Sequence, residues 1–454
     1  MINLSAVKKP IFFIGAVVLI ALYALSIYFI NKYYYPDLNS ESVKFFITDK
    51  ERVSDQENVA FAIIGLNAPA GTKNIHSFGL GLVTKSFARY SDVDGKHISQ
   101  SASLPKIENE LIFDGEPDKL NCWTNKSTTH GDKCYSPEEL DSVVSKNRLL
   151  LDRYEEIKKY NKYYGYVMFN RNSQLLINIH KLFLADIRNS LNKEGNKKAF
   201  ARLINDMQYR KLMLAQPGTW IDKAINLVIY GLSYNQFEYA VTEHTYIVVN
   251  YDKSSIDTLS NLTMNDFNID GVFRGEFEIL NSLFCLDDRL GIKTSYMCQA
   301  ENKEIDISVH YIMNRFYKKY LSYRHMTALD IDNLMTRCES QPKFQKVDFY
   351  FGLALHFPIL TTYAPYKLLE DGSEKSCSIM IMYKLQIAKF RQSKIYLDVK
   401  RNKINEENIN NYLQTTAERD YLTGMPFIYD DENKMLRFPK EAPADKVAEL
   451  GLKM

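Results

Sequence analysis

The stretch SQLLINIHKLFLADIRNSLNKEGNKKAFARLINDMQYRKLMLAQPGTWIDKAINLVIYGLSYNQFEYAV, residues 173–241, decides the fold class of this chain. Apolar residues recur at helical spacing in three successive blocks: Leu176, Ile179, Phe183 and Ile187; Phe200, Leu203, Ile204 and Met207; Ile221, Ala224, Ile225, Val228 and Leu232. The pattern predicts helices over 173–192, 196–215 and 219–241. Gly195-Asn196 and Gln216-Pro217-Gly218 separate them, and connections this short turn neighbouring helices back on one another. Tetratricopeptide-type solenoids stack hairpins in a similar way. The signature residues of that repeat are missing, however, and no period of about 34 residues recurs, so a bundle is favoured over a short solenoid.

Upstream, Ser136-Pro137-Glu138-Glu139 places a cap, a proline at the first helical position and a glutamate at the third. Leu140, Val143, Val144, Asn147, Leu151, Tyr154 and Ile157 then mark one face of a single long helix. Ser54-Asp55-Gln56-Glu57 has the same capping spacing before a compact apolar run, Val59 to Leu66. Ile75, Phe78, Gly79, Leu82, Val83 and Phe87 form another helical stripe, with His76 at its boundary. Residues 91–135 lack periodicity and read as a loop-rich lobe with one short strand around Leu111-Ile112-Phe113.

Downstream of the array, weaker helices are expected near 270–284, 305–323 and 326–337. Lys343 to Leu360 is apolar and ambiguous, and helices follow at 375–398 and 405–416. Met425 to Tyr429 and Lys434 to Phe438 flank a polar turn and read as two strands, with a solvated tail from Lys440.

Ile11 to Ile30 carries no charge over 20 residues, thirteen of them Leu, Ile, Val or Phe. A helix rising about 1.5 Å per residue covers the roughly 30 Å hydrocarbon layer with that length. Lys8 and Lys9 precede it, and Lys32 and Tyr33-Tyr34-Tyr35 follow. This flanking predicts a cytoplasmic amino terminus with the remainder translocated. The rivals are a cleaved signal peptide and a buried core helix. Ala24-Leu25-Ser26 loosely fits a cleavage site, but the apolar run continues through Ile30. The expected organisation is a cytoplasmic terminus at 1–10, a transmembrane helix at 11–30 and a tether at 31–53. A lobe with a cysteine loop follows at 54–135, then a helical-hairpin body at 136–345 and carboxy-terminal helices with a β-hairpin at 346–454. The fold class is mainly α.

With 57 basic against 55 acidic residues the chain is nearly neutral, which argues against nucleic acid as a partner. In an oxidising compartment the six cysteines become disulfide candidates. Cys122 and Cys134 bracket one polar loop, Cys285 and Cys298 another, and Cys338 and Cys377 remain. Proximity favours that pairing among the fifteen that six cysteines allow.

The pattern Thr423-Gly424-x-Pro426-x-x-Tyr429-Asp430 with Leu436-x-Phe438, behind a pair of helices, resembles the carboxy-terminal end of a group of uncharacterised proteobacterial single-pass inner-membrane proteins. Those proteins share an amino-terminal anchor, a Gly-x-x-Ala-Pro element comparable to Gly65-Leu66-Asn67-Ala68-Pro69, and a central helical array. The resemblance spans most of the chain and implies an inner-membrane protein with a periplasmic helical body. It implies no activity.

Motifs with chemistry are scarce. His310 with Asn314, and His325 near Asp330 and Asp332, do not have a recognised metal spacing such as HExxH. Gly231-Leu232-Ser233-Tyr234-Asn235 departs from the G-x-S-x-G elbow at its last residue and sits in a predicted helix, where packing explains it. Neither a Walker A nor a GxGxxG motif is present, and Gly79-Leu80-Gly81 reads as close helix packing. The adjacent acids Glu155-Glu156, Asp287-Asp288 and Asp430-Asp431 point apart or lie in a solvated turn. No cofactor is expected. Asn125-Lys126-Ser127 and Asn261-Leu262-Thr263 are glycosylation sequons that chance supplies in an Asn-rich chain. The leading expectation is therefore a membrane-anchored periplasmic protein that binds or scaffolds another envelope component. The alternative is an envelope hydrolase with a site assembled from dispersed His and carboxylate residues.

Overall fold

The computed structural model describes residues 53–91, 106–124, 134–163, 172–194, 196–276, 358–439 and 452–453, with isolated positions at 41, 45, 317, 320 and 321. The segment expected to cross a membrane, 11–30, lies outside the described residues. Among the described residues no helix is long and apolar enough to do so. The helices expected at 326–337 and most of 305–323 also lie outside them.

The described chain is mainly helical. Helices α1 (Val59–Ile64) and α2 (Ile75–Ser91) come first, followed by a short turn of 3-10 helix (Pro117–Leu120) running into α3 (Asn121–Thr124). Then come α4 (Pro137–Lys146), α5 (Arg148–Ile157), α6 (Ser173–Glu194), α7 (Lys197–Ala215) and α8 (Trp220–Glu243). The short helices α9 (Thr245–Val249) and α10 (Lys253–Ser260) lead to a second 3-10 turn (Met264–Phe267) and a helical run over 269–276. The long α11 (Pro358–Arg401) and α12 (Glu406–Thr415) precede strands β1 (Ile428–Asp430), β2 (Met435–Arg437) and β3 (Leu452–Lys453).

The three helices read from 173–241 start and stop within about two residues of their expected bounds. Asn196 caps α7, its Oδ1 accepting from Lys198 N. Thr219 and Asp222 form a reciprocal box at the start of α8. Each of α6, α7 and α8 packs on both others, and α8 also packs on α11, more than 100 positions further along the chain. A solenoid repeat touches only its neighbours, so the arrangement is a bundle. Its core is continuous, with Leu176, Phe183, Phe200, Leu203, Met207, Leu227, Tyr230 and Phe390 in one buried cluster that runs from Val59 to Phe438.

Several local readings are corrected. The capping box at Ser136 and Glu139 forms with both reciprocal bonds. The helix it opens is jointed at Asn147, whose side-chain amide accepts from Asp114 N at 2.9 Å and donates to Asp114 O at 2.8 Å and Val143 O at 2.9 Å. An amide that bonds backbone groups locally competes with helix geometry, and here it divides one expected helix into α4 and α5. Leu140, Val143, Leu151, Tyr154 and Ile157 still face the core.

At Ser54 the box spacing makes only a turn, because Asn58 is the cap of α1 and accepts from Ala60 N. His76 is buried, stacked 4.5 Å from the Tyr160 ring with Nε2 3.1 Å from Asn58 O. Gly79 is a close-packing residue, since a Cβ there would fall 1.9 Å from Phe61 O, while Gly81 faces open space. Leu111–Phe113 is not a strand. α11 begins at Pro358, well before 375, with proline at the first position where its missing N–H costs nothing.

The hairpin forms as read, with Tyr429 opposite Leu436. Within the expected solvated tail, Leu452 and Lys453 form β3, antiparallel to β2, and the rest of it lies outside the described residues. A bare two-stranded hairpin leaves an unpaired edge, which Leu452 and Lys453 fill. Gln392 of α11 donates to Leu436 O at 2.8 Å and fastens the sheet to the bundle.

The Gly-x-x-Ala-Pro element acts as a hub. The Arg153 guanidinium donates to the carbonyls of Leu66, Ala68 and Pro69, and Asn172 Nδ2 donates to Ile63 O, Ile64 O and Asn67 Oδ1. The carbonyls of Ile64 and Leu66 at the end of α1 thereby gain partners inside the protein, and Ile63 O gains a second.

Candidate functional site

Among the described residues the densest group of reactive side chains lies at the seam of four helices. α5 contributes Tyr154 and, one residue past its end, Lys158. α6 brings His180, α7 brings Asp206 and Arg210, and α8 brings Ser233. His180, Asp206 and Ser233 are fully buried.

The Tyr154 hydroxyl donates to Asp206 Oδ1 at 2.6 Å and accepts from Arg210 Nη2 at 2.6 Å. The same oxygen is 2.7 Å from His180 Nδ1. Since Tyr154 has one proton and Asp206 takes it, the imidazole is the donor at Nδ1. Ser233 Oγ lies 3.1 Å from His180 Nε2, 3.1 Å from Asp206 Oδ2 and 3.3 Å from Ile229 O. Its single proton serves one of those three at a time. Lys158 Nζ closes the group, 3.0 Å from Asp206 Oδ1 and over the rings of Tyr154 and Phe183.

The electrostatics follow from burial. Loss of solvent pushes His180 down to about 3, with Asp206 opposing that fall and Arg210 and Lys158 adding to it. Burial works against ionised Asp206, yet Lys158, His180, Arg210 and the Tyr154 hydrogen bond together hold its carboxyl below the usual carboxylate range. Burial also raises Tyr154 well above an ordinary phenol.

These are the residue types of a hydrolytic triad without its arrangement. A triad carboxylate holds the Nδ1–H of its histidine. Here Tyr154 holds that position, and Asp206 Oδ2 is 3.8 Å from Nδ1. Ser233 points into the seam of packed helices, and an imidazole pushed to about 3 is a weak base. The arrangement ties α5, α6, α7 and α8 in one register through bonds that apolar side chains cannot make.

A second buried base is Lys223, whose Nζ donates to Leu214 O and to Gln216 O and closes the end of α7. Burial lowers it to about 7. Beside it, the Tyr163 hydroxyl donates to Asp222 Oδ1 at 2.5 Å. The Glu276 carboxylate accepts from Trp220 N at 2.8 Å, and burial raises its pKa.

No known family, curated protein or solved structure matches this chain.

Of the six candidate cysteines, Cys122 and Cys134 are joined, with Cα atoms 5.9 Å apart. Cys285, Cys298, Cys338 and the side chain of Cys377 lie outside the described residues. His310, His325, Asp287-Asp288, Asp330 and Asp332 do too. The Cys122–Cys134 bridge seats α3 on α6 and α8. Arg188 donates to Cys122 O and Trp123 O, and Gln236 to Trp123 O. Asp430 is engaged by the hairpin turn, accepting from Glu432 N, from Asn433 N and side chain, and from Arg437. Among the described residues no group of three or more His, Cys, Asp or Glu side chains is placed to hold a metal ion.

The sequence pattern places Ser233 in a failed elbow and Tyr154 on an apolar helix face, and gives His180 and Asp206 no role. One signal was available. His180 sits among Leu176, Ile179, Leu182, Phe183 and Leu184, and a polar residue on so apolar a helix requires a buried partner.

Proposed function

We infer that this chain is a membrane-anchored helical protein of the bacterial envelope whose body binds or scaffolds another envelope protein rather than catalysing a reaction. The observation that carries this reading is the closure of the Tyr154, His180, Asp206 and Ser233 group. The side chains best suited to chemistry are fully buried and bonded to one another across four helices. The Cys122–Cys134 bridge supports an oxidising compartment. The apolar span Ile11 to Ile30 behind Lys8 and Lys9 supports anchoring with the body outside the cytoplasm.

Protease added to the outer side of the cytoplasmic membrane in spheroplasts tests the location. The body is expected to be digested while a cytoplasmic control survives, and a body protected as well as that control would overturn the reading. Crosslinking in intact cells tests the binding role, with one specific protein adduct expected.

The 3.1 Å approach of Ser233 Oγ to His180 Nε2 favours a second reading, the hydrolase. Labelling of Ser233 in the native protein by a fluorophosphonate would establish a nucleophile and displace the binding role.

A further inference from the structure

Residues 110–114, Glu-Leu-Ile-Phe-Asp, run without turn or bend between the left-handed Asn109 and the bend at Gly115. Both ends are pinned. Leu111 N donates to Asn67 O at 3.0 Å, and the Asn147 amide grips both backbone groups of Asp114. Just beyond, Glu116 N donates to the Tyr135 hydroxyl at 2.5 Å, one residue from the Cys122–Cys134 bridge.

Between the pins the side chains alternate as in a strand. Leu111 and Phe113 pack on the core, while Ile112 points out with 76% of its surface exposed. Among the described residues the peptide groups of Ile112 and Phe113 have no hydrogen-bond partner. This is a half-made sheet edge: a straight, immobilised backbone with free donors and acceptors and one apolar side chain facing solvent.

Acids predominate around the edge. From 106 to 119 Glu108, Glu110, Asp114, Glu116 and Asp118 outnumber Lys106 and Lys119, and although Glu116 pairs with Lys119 at 2.8 Å and Asp114 lies 3.9 Å from Lys146, Glu108 and Asp118 add to the negative side. Glu108, Asp114, Glu116 and Asp118 are exposed.

We propose that the 110–114 run is a docking edge for an extended segment of a second protein, which adds as a strand beside Ile112 and carries basic residues at its ends. Backbone bonds to Ile112, whose N–H and C=O face one edge while those of Phe113 face the other, supply the affinity, an apolar side chain of the partner covers Ile112, and lysine or arginine at the flanks meets the acids. This rests on the binding role above and gives it a site and a partner chemistry.

The test uses the full chain in detergent and a short peptide of alternating valine and threonine with lysine at each end, beside the same peptide N-methylated at alternate amides. The parent peptide is expected to bind and to shift the Ile112 and Phe113 amide resonances. N-methylation, or Ile112→Pro in the protein, should weaken binding by about tenfold or more through lost backbone bonds. Ile112→Lys should weaken it as well, by removing the apolar contact and repelling the flanks. Absence of binding, equal binding by the methylated peptide, or equal binding to Ile112→Pro overturns the proposal. So does a dimer of the full chain that Ile112→Pro dissolves, because the edge is then occupied by a second copy. If cellular crosslinking captures the same adduct from Ile112→Pro as from the parent, the edge fails while the binding role stands. If the body proves cytoplasmic but the peptide binds as described, the edge stands and the envelope reading fails.

Discussion

Gly65 and Gly79 meet backbone to backbone where α1 lies against α2. A Cβ on Gly79 would sit 2.9 Å from Gly65 N and 1.9 Å from Phe61 O, and one on Gly65 would sit 1.9 Å from Ile75 O. The obstructing atoms are main chain, so no side-chain rotation relieves the clash. Gly79→Ala should therefore destabilise the protein by about 1–3 kcal/mol or prevent folding. Gly81→Ala, two residues along the same helix in open space, should stabilise by about 0.5–1 kcal/mol. Denaturant titration of both variants checks the contrast, and equal effects would refute the crossing.

Arg153 supplies donors to three carbonyls at the Gly65–Pro69 element. Arg153→Ala leaves the buried Leu66 and Ala68 carbonyls without partners while Pro69 O keeps Thr72 N, and each unsatisfied group costs about 1–3 kcal/mol. Arg153→Lys should recover only part of the loss, since a single ammonium cannot reproduce the planar fork. The midpoint of thermal unfolding, ordered parent, Lys, Ala, is the readout.

Acid should weaken the bundle through His180. Burial holds it at about 3, below the ordinary imidazole value of 6.5, so the unfolded chain binds the extra proton first. Stability is then complete above about pH 6.5 and falls by about 1.4 kcal/mol per unit as pH drops towards 3. Asp206, also depressed, adds its loss only below the ordinary carboxylate value of 3.8. Denaturation at stepped pH should show the slope, and His180→Gln should flatten it between pH 4 and 6 while lowering stability at neutral pH. An unchanged slope in that variant would place the titration elsewhere.

Opening the Cys122–Cys134 bridge should cost about 3 kcal/mol, the loop-closure entropy of a sequence separation of 12. Paired Cys122→Ser and Cys134→Ser changes should lower the unfolding midpoint. Peptide mapping without reduction should recover the two cysteines of the parent protein on one linked fragment.

Where the determinants are local, the sequence is a good guide. Ser136, Pro137 and Glu139 lie within one turn and make the bonds that their spacing implies. The blocks from Leu176 to Leu232 carry enough periodicity to bound three helices. Nearby context can also mislead, as at Ser54, where Asn58 is the better cap because its side chain reaches Ala60 N. The joint at Asn147 is invisible from its neighbours, because the group that holds it open, Asp114, is 33 positions away. The same holds for the buried knot. Tyr154, His180, Asp206 and Ser233 come from separate helices, and their contacts cross 26 to 53 positions that only the folded bundle closes. The short helices α9 and α10 went unread for a different reason, since five and eight residues give too few turns for a period to emerge.

Asn147 plays the part of an absent neighbouring strand, offering one side-chain amide where a sheet would offer a peptide unit. A lesion there would therefore mimic a lesion in the 110–114 run while mapping to a helix, and a genetic screen for lost association would return alleles in two regions that look unrelated along the chain. Among the described residues Asp114 is the one whose main chain the amide grips across that distance, so the two regions meet at a single pair of bonds.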